Sequence, residues 1–420
     1  MRVALFIHRY PPALGGSEAY FARLGRYLVA HGDQVNVFTS NALDLEAFWD
    51  RRGRRLPAGL GTIDGVRVRR YSLLHVPFHR YVFKALSLAP VPAWQALTLP
   101  FNPVLPGMWR AANDPGRACD LVHASAFPYA FPLACARRLA RRLGVPFLLT
   151  PFVHTGDPDD PADRTRRGYT RPALTAIARS ADRLFVQTPG ERDVLLAHGV
   201  PAGRIVLQGL GVDAGGCTGG DRRRARRAWQ LGDDAVVVGH LANNSVEKGS
   251  VDLLKAAQAA WGRGARFAVV LAGPAMPNYR AFRAGFRPAG VLRELGVLDE
   301  TQKKDFFAAL DVFALPSRSD SFGLVLPEAW ANGVPCVGYR AGGVGWVIRD
   351  GTDGLLVRAG DVAGLAAALG RLVEDAPLRR RMGEAGRGRV GAEFDWEDKL
   401  RLVRDVGREA AREGVFSRPA

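Results

Sequence analysis

The chain has 420 residues, 47% of them apolar and 24% charged, which is enough for two or three domains with real cores and excludes collagen, coiled coil and wholesale disorder. The net charge is +17, from 58 Lys and Arg against 41 Asp and Glu, and the cations are 52 Arg and only 6 Lys. Such a balance favours anionic partners such as phosphates or a lipid surface, without choosing between them. Cys119, Cys135, Cys217 and Cys336 are widely spaced and form no CxxC pair, so they read as reduced thiols and not as a zinc site.

The opening MRVALFIHRY has a short apolar run and no small-residue cleavage site. It reads as a first strand, not a signal peptide, and places the protein in the cytoplasm. A Pro/Gly loop, Pro11 to Gly16, leads into a helix from Ser17 to His31, and a second strand, Gln34 to Thr39, completes a βαβ unit. Residues 51–70 carry seven arginines against Asp64. The charge-free run Ala85 to Trp109 follows, but five prolines exclude a transmembrane helix there. Further strands are expected at 120–124, 146–150, 183–187 and 204–208. The composition then shifts at AGGCTGGDRRRARR, residues 214–227, which reads as an exposed hinge. A second βαβ series follows, with strands at 236–239, 267–272, 312–315 and 335–339. The pattern predicts an α/β protein of two doubly wound Rossmann-like domains facing a cleft. Expected bounds are 1–213, a linker at 214–233, 234–394, and a C-terminal helix, 395–420, returning to the first domain.

The most informative stretch is PSRSDSFGLVLPEAWANGVP, residues 316–335. Asp320 falls in the loop after a strand end and Glu328 about one helical turn beyond Leu324, so both carboxylates reach a crevice at the carboxyl ends of the strands. The amides of Phe322, Gly323 and Leu324 open a helix and suit an anion. A glutamate accepting two hydrogen bonds suits a pair of ribose hydroxyls.

These residues resemble the hallmark of the retaining glycosyltransferases of family 4, two glutamates separated by seven residues around a Phe-Gly step, on the two-domain B-type (GT-B) fold. The resemblance spans nearly the whole chain. It implies transfer of a sugar from a nucleoside diphosphate sugar, of UDP or GDP type, to a hydroxyl of a glycan or lipid-linked acceptor, in envelope glycan, polysaccharide or glycolipid synthesis. In GGSE (15–18) it assigns Gly16 to the donor or acceptor loop, and in TPFVHTGD it makes His154 the active-site histidine, with His123 the rival. In GHLANNSVEKG (239–249) it sets Lys248 on the leaving diphosphate, with His240 where the family has arginine and Asn243 or Asn244 as a substitute contact. Leu298 in GVLD matches the loop under the base, and Asp320 stands where the family has glutamate, one methylene longer. The resemblance also implies that no metal is needed, because Lys248 and helix amides take the phosphate charge.

The acidic loop DPDDPAD, 157–163, reads as a solvated turn, and RRRARR, 222–227, lacks the interleaved aromatics of a nucleic-acid reader. Two other functions stay open: a sugar-nucleotide epimerase of the same fold, and a non-catalytic sugar-nucleotide binding protein. The basic 51–70 region and the aromatic run 85–109 either pack under the first domain or form a surface for an anionic membrane.

Overall fold

A computed structural model describes residues 1–114 and 118–414. The chain forms two units: 1–153, 167–208 and the residues from 400 onward make the first, and 154–166 with 209–399 make the second.

In the first unit, β1 (Arg2–Phe6) runs parallel to β2 (Gln34–Ser40). The helix between them, Gly16–Ala30, buries Tyr20, Phe21, Leu24 and Leu28, the three- and four-residue spacing of one helical face. Next come β3 (Gly59–Ile63) and β4 (Val66–Tyr71), then β5 (Leu121–Ala124), β6 (Phe147–Leu149), β7 (Arg183–Val186) and β8 (Ile205–Leu207). The sheet order is β3-β4-β2-β1-β5-β6-β7-β8, parallel except for the β3–β4 hairpin. That hairpin was not expected from a stretch that reads as an arginine patch. It turns at Asp64 and Gly65, both at positive φ, and buries Val66 and Val68 between the arginines.

The charge-free run breaks at its prolines into short helices, His79–Leu86, Pro92–Thr98 and Pro106–Ala111. Among the described residues no helix is long and apolar enough to cross a membrane. Part of the run packs into the unit and part of it is exposed. Leu99 and Met108 are buried, whereas Leu88 is 77% and Trp94 44% exposed. From Leu400 the C-terminal helix belongs to the first unit. There Leu400, Val403, Gly407 and Ala410 are buried, and Arg404 pairs at 2.7 Å with Asp33, whose other oxygen accepts from the N-terminal amine.

The second unit has β9 (Val237–Leu241), β10 (Ala268–Ala272), β11 (Val291–Glu294), β12 (Val312–Leu315), β13 (Cys336–Tyr339) and β14 (Gly354–Val357). All its neighbouring strands are parallel, in the order β11-β10-β9-β12-β13-β14. The order reverses at β9, so the carboxyl ends of β9 and β12 border the crevice where open α/β sheets bind ligands.

Two stretches depart from the expected organisation. Residues 154–166 pack with the second unit: Gly342 donates its amide to the Gly156 carbonyl at 2.8 Å, and the side chain of Arg166 bonds the carbonyl of Thr155 at 3.0 Å. Residues 214–233 are not a solvated hinge but folded into the second unit. Asp221 caps the helix Arg222–Ala228, and Arg226 is fully buried. Its guanidinium donates to the carbonyls of Gly232, Asp233, Ala235 and Ala309 and pairs with Asp311 at 2.7 Å. Arg224 pairs with Asp305 at 2.6 Å. The run misleads because the helix brings Arg222 and Arg226, four residues apart, onto one inward face, where their donors satisfy carbonyls left over at chain ends. Arg226→Ala is therefore expected to cost ~3–5 kcal/mol, the range for removing one partner of a buried ion pair. Urea unfolding checks this, and a loss near that of an exposed pair, at most about 1 kcal/mol, would contradict it.

Candidate functional site

The loop after β12 is pinned from two sides. On one side Gly343 donates its amide to the Asp320 carbonyl at 2.7 Å, and a Cβ on Gly343 would stand 2.2 Å from the Ser321 carbonyl oxygen. The paired glycines of AGGVGW are thus required by close backbone approach. On the other side the amide of Arg318 donates to the Glu247 carbonyl at 2.9 Å. Gly249, at φ 78°, lies so close to Pro316 that a Cβ would meet its carbonyl oxygen at 1.9 Å. These contacts bring the Lys-Gly step beside the Asp320 loop.

The result is a four-residue cluster. Lys248 Nζ donates to Asp320 Oδ2 at 2.7 Å and to the Ser319 carbonyl at 3.1 Å, and His154 Nδ1 lies 2.8 Å from Ser319 Oγ. All four residues belong to the second unit, although the sequence placed His154 in the first domain. Burial raises the Asp320 pKa, but the charge and hydrogen bond of Lys248, His154 and the Phe322 amide together hold it below the usual carboxylate value. Burial, aided by the Lys248 charge, pushes the His154 imidazole down to about 4, so it is neutral at pH 7. His154, Lys248 and Ser319 line a cavity of about 490 Å³ with Asn243, Ser245, Glu247 and Asn278.

His240 does not join this cavity. It is fully buried, with Nδ1 2.8 Å from the Ala314 carbonyl and Nε2 2.9 Å from Ser250 Oγ. Both ring nitrogens are engaged inside the unit, so the expected donor contact is replaced by a tie from β9 to β12 and to the helix Ser250–Gly262. Of the two asparagines, Asn243 faces the cavity. Asn244 is buried and donates to the Gly273 carbonyl, while its backbone bonds Pro274 and Met276. The loop between β9 and Gly249 is thereby zipped to the end of β10.

A second cluster forms around Glu328, in the helix Val325–Ala331. Lys303 Nζ reaches Glu328 Oε1 at 2.6 Å, while Oε2 is buried without a hydrogen-bond partner. Burial raises the Glu328 pKa, Lys303 counters this, and Asp213 adds to the rise. Lys303 sits one turn into the helix Glu300–Ala309. That helix is started by an Asp299–Gln302 capping box directly after Leu298, so the GVLD loop and Glu328 are joined through one lysine. Phe322 is buried, Gly323 takes φ 84°, and Leu324 caps the short helix. Sequence reasoning missed Ser319 and Lys303. The signal for Lys303 is compositional: two of only six lysines in the chain stand on Asp320 and Glu328.

Gly16 begins the first unit's helix Gly16–Ala30. Beside it Glu18 is buried, paired with Arg9 at 2.5 Å, 3.3 Å from His8 Nε2, and accepting from Ser17 Oγ at 2.8 Å. His123 is buried in the same unit, 2.8 Å from Thr150 Oγ1. In the acidic loop Asp157, Asp159 and Asp160 are exposed or half-exposed, and among the described residues no three His, Cys, Asp or Glu are grouped to hold a metal.

Residues 221–389 match the family described as glycosyl transferases group 1, and residues 15–211 match the glycosyl transferase 4-like domain. D-inositol 3-phosphate glycosyltransferase 2 of Catenulispora acidiphila is 30% identical over 419 residues, covering 93% of this chain and 89% of that protein. D-inositol 3-phosphate glycosyltransferase of Geodermatophilus obscurus is 33% identical over 407 residues, covering 91% and 82%. Among solved structures, sucrose-phosphate synthase from Thermosynechococcus elongatus superposes with a TM-score of 0.72 at 22% identity, over 98% of this chain and 99% of that one. Anabaena HepE in complex with UDP-glucose gives 0.68 at 17% identity, over 97% and 100%. Two parallel-sheet units, the match of each half to a glycosyltransferase family and relatives spanning both halves establish that the chain belongs to the family 4-type glycosyltransferases of the GT-B fold.

Proposed function

We propose that the chain is a retaining, metal-independent transferase that moves a sugar from a nucleoside diphosphate sugar to a hydroxyl acceptor. The observation that carries this reading is the lysine that holds Asp320 and lines one cavity together with a neutral histidine. In the reaction the sugar–oxygen bond breaks, negative charge gathers on the departing diphosphate and positive charge on the sugar ring. Lys248 is assigned to the diphosphate, Asp320 to the sugar hydroxyls, and His154 to orienting the sugar. Glu328 Oε2, a buried acceptor lacking a donor, suits a ribose hydroxyl, with Leu298 under the base and the amides of 323–324 toward phosphate. UDP is the nucleotide to try first, since the Anabaena relative in fold was solved with UDP-glucose.

The acceptor is assigned to envelope glycan, polysaccharide or glycolipid synthesis at the inner face of the membrane. A second reading, a phosphorylated polyol, is favoured by the relatives named for inositol 3-phosphate and for sucrose-phosphate synthesis. Both belong in the acceptor panel. The decisive experiment follows diphosphate release with acceptor present and reads the product's anomeric configuration by NMR. Release without acceptor dependence would favour an epimerase, and an inverted product would refute retention.

Three outcomes are expected of this reading. Glu328→Ala weakens UDP binding by ~1.5–3 kcal/mol, the range for hydrogen bonds to a charged group, and unchanged affinity in calorimetry would remove Glu328 from the site. Lys248→Ala lowers kcat by a factor on the order of 10² to 10³ and changes donor affinity less, because the charge it meets grows toward the transition state. A rise in KM alone would make it a binding residue. Turnover persists in a strong chelator, and activity that vanished and returned with magnesium or manganese would contradict the assignment of that charge to Lys248. Acidification provides a separate check on His154. As the pH falls its imidazole stays neutral until about 4, so activity should pass through pH 6.5 without a histidine limb. A limb at about 6.5 that disappears in His154→Asn would show an imidazolium at work.

A further inference from the structure

The excess positive charge is not spread along the chain. Residues 51–150 hold fifteen Arg and Lys against three Asp, a net of +12 out of +17, and from Gly65 to Asn113 there is no acidic residue at all. These positions lie in the first unit. Four of these cations form an arginine row on the helix Ala130–Leu143, Arg137, Arg138, Arg141 and Arg142, with no acid among the helix residues. With Ala93, Leu97 and Trp109 these arginines line a groove of about 440 Å³, and the Arg138 guanidinium lies 4.9 Å from the centre of the Trp109 ring.

Beside the groove the unit exposes apolar side chains. Eight of the sixteen exposed large hydrophobics among the described residues fall between Leu74 and Trp94, so they form a concentration and not a scatter. Phe78 is 80%, Tyr81 78% and Leu88 77% exposed. The helix His79–Leu86 is nevertheless held in place. Phe83 and His79 are buried beneath it, Arg80 lies over Phe101, and Trp94 Nε1 bonds the Leu86 carbonyl at 2.8 Å. The helix Pro92–Thr98 packs against both this helix and the arginine helix, and it contributes Trp94 to the apolar shelf and Ala93 and Leu97 to the arginine groove.

We propose that this face docks on an anionic phospholipid leaflet, with Phe78, Tyr81, Leu88 and Trp94 entering the headgroup layer and the arginine row meeting lipid phosphates. The choice of occupant rests on charge complementarity: an arginine-rich surface with an aromatic and aliphatic shelf matches a negative leaflet with an apolar interior. Its biological use rests on the membrane acceptor proposed above, whereas the surface itself does not. The face would hold the first unit against the bilayer that carries the acceptor, raising the local acceptor concentration.

The test is sedimentation of the full chain with vesicles of phosphatidylcholine plus phosphatidylglycerol, and with pure phosphatidylcholine, at low and high salt. Binding is expected to the anionic vesicles at low salt, with at least a roughly tenfold loss in pure phosphatidylcholine or at high salt. Phe78→Ser/Tyr81→Ser/Leu88→Ser should lose binding to a similar extent, and Arg137→Ser/Arg141→Ser should lose it with a shallower salt dependence. All five substituted arginine-row and shelf positions lie outside the nucleotide site, so UDP binding and melting temperature in the same variants separate failure of this surface from failure of the transferase reading. No binding at low salt, equal binding to both vesicles, or binding untouched by both variants would overturn the proposal. So would a dimer that the apolar variant dissolves while vesicles stay unbound, which would assign the face to a second copy of the chain.

Discussion

One ammonium group organises the centre of the second unit. Lys248 reaches across from the loop after β9 to the loop after β12, and at 2.7 Å from Asp320 and 3.1 Å from the Ser319 carbonyl it ties the two loops that border the crevice. Without it Asp320 would be a buried carboxylate whose charged form is disfavoured by desolvation. With it the acid stays ionised, and the same positive charge helps keep His154 neutral. A single lysine therefore pushes the two neighbours in opposite directions, reinforcing for His154 what burial already does, and the chemistry proposed for the cavity depends on that division. A lysine suits this position better than an arginine because a compact, rotatable charge can transfer from one oxygen partner to another as a ligand enters.

The backbone around this pair is shaped for it. Gly249 and the Gly342–Gly343 pair remove side chains at the points where loops come within van der Waals contact, so that Ser319, Asp320 and Lys248 meet. The loop that carries Lys248 is zipped to the end of β10 by Asn244, whose amide and carbonyl bond Pro274 and Met276. His240 fastens the base of that loop by bonding the Ala314 carbonyl and Ser250. In this chain the position that carries an arginine in the family pattern thus serves rigidity, and the cation at the cavity is Lys248.

What could be read from the sequence follows from how local each signal is. The buried parallel strands and the helix Gly16–Ala30 were legible because continuous apolar runs and three-four spacing are properties of neighbouring residues. The carboxylates of Asp320 and Glu328 were legible through their spacing around Phe322 and Gly323. The β3–β4 hairpin was not, although Asp64-Gly65 is a strong turn signal, because Arg67, Arg69 and Arg70 hide the alternation of Val66 and Val68. The inward turn of Arg226 and the passage of residues 154–166 to the second unit were also hidden. Both depend on partners far along the chain: Asp311 for the arginine, Ser319 and Gly342 for the segment. Glu191 shows how such a passage is set. Its buried carboxylate accepts the amides of Val153 and Gln187 at 2.7 Å, fixing the chain just before His154, and nothing near Val153 in sequence announces it.

The arginine content has a similar two-sided origin. A general bias toward arginine would distribute unpaired charge evenly, but the second unit pairs several of its arginines with its own acids. Arg226 is paired with Asp311, Arg318 with Asp252, Arg224 with Asp305, and Arg389 with Asp353 and Glu393. These pairs neutralise the charge where it is formed, and what remains there is close to balance. Between residues 51 and 150 three acids stand against fifteen cations, and although Arg52 and Arg54 pair with Asp50 and Asp44 just before the range, most of the excess has no acid partner along this stretch. Self-repulsion among such charges destabilises a compact state. Repulsion of that kind is relieved by an external array of negative charge, and the exposed Phe78, Tyr81 and Leu88 beside it gain from leaving water at the same moment. Electrostatics and the hydrophobic effect thus point to the same face of the first unit.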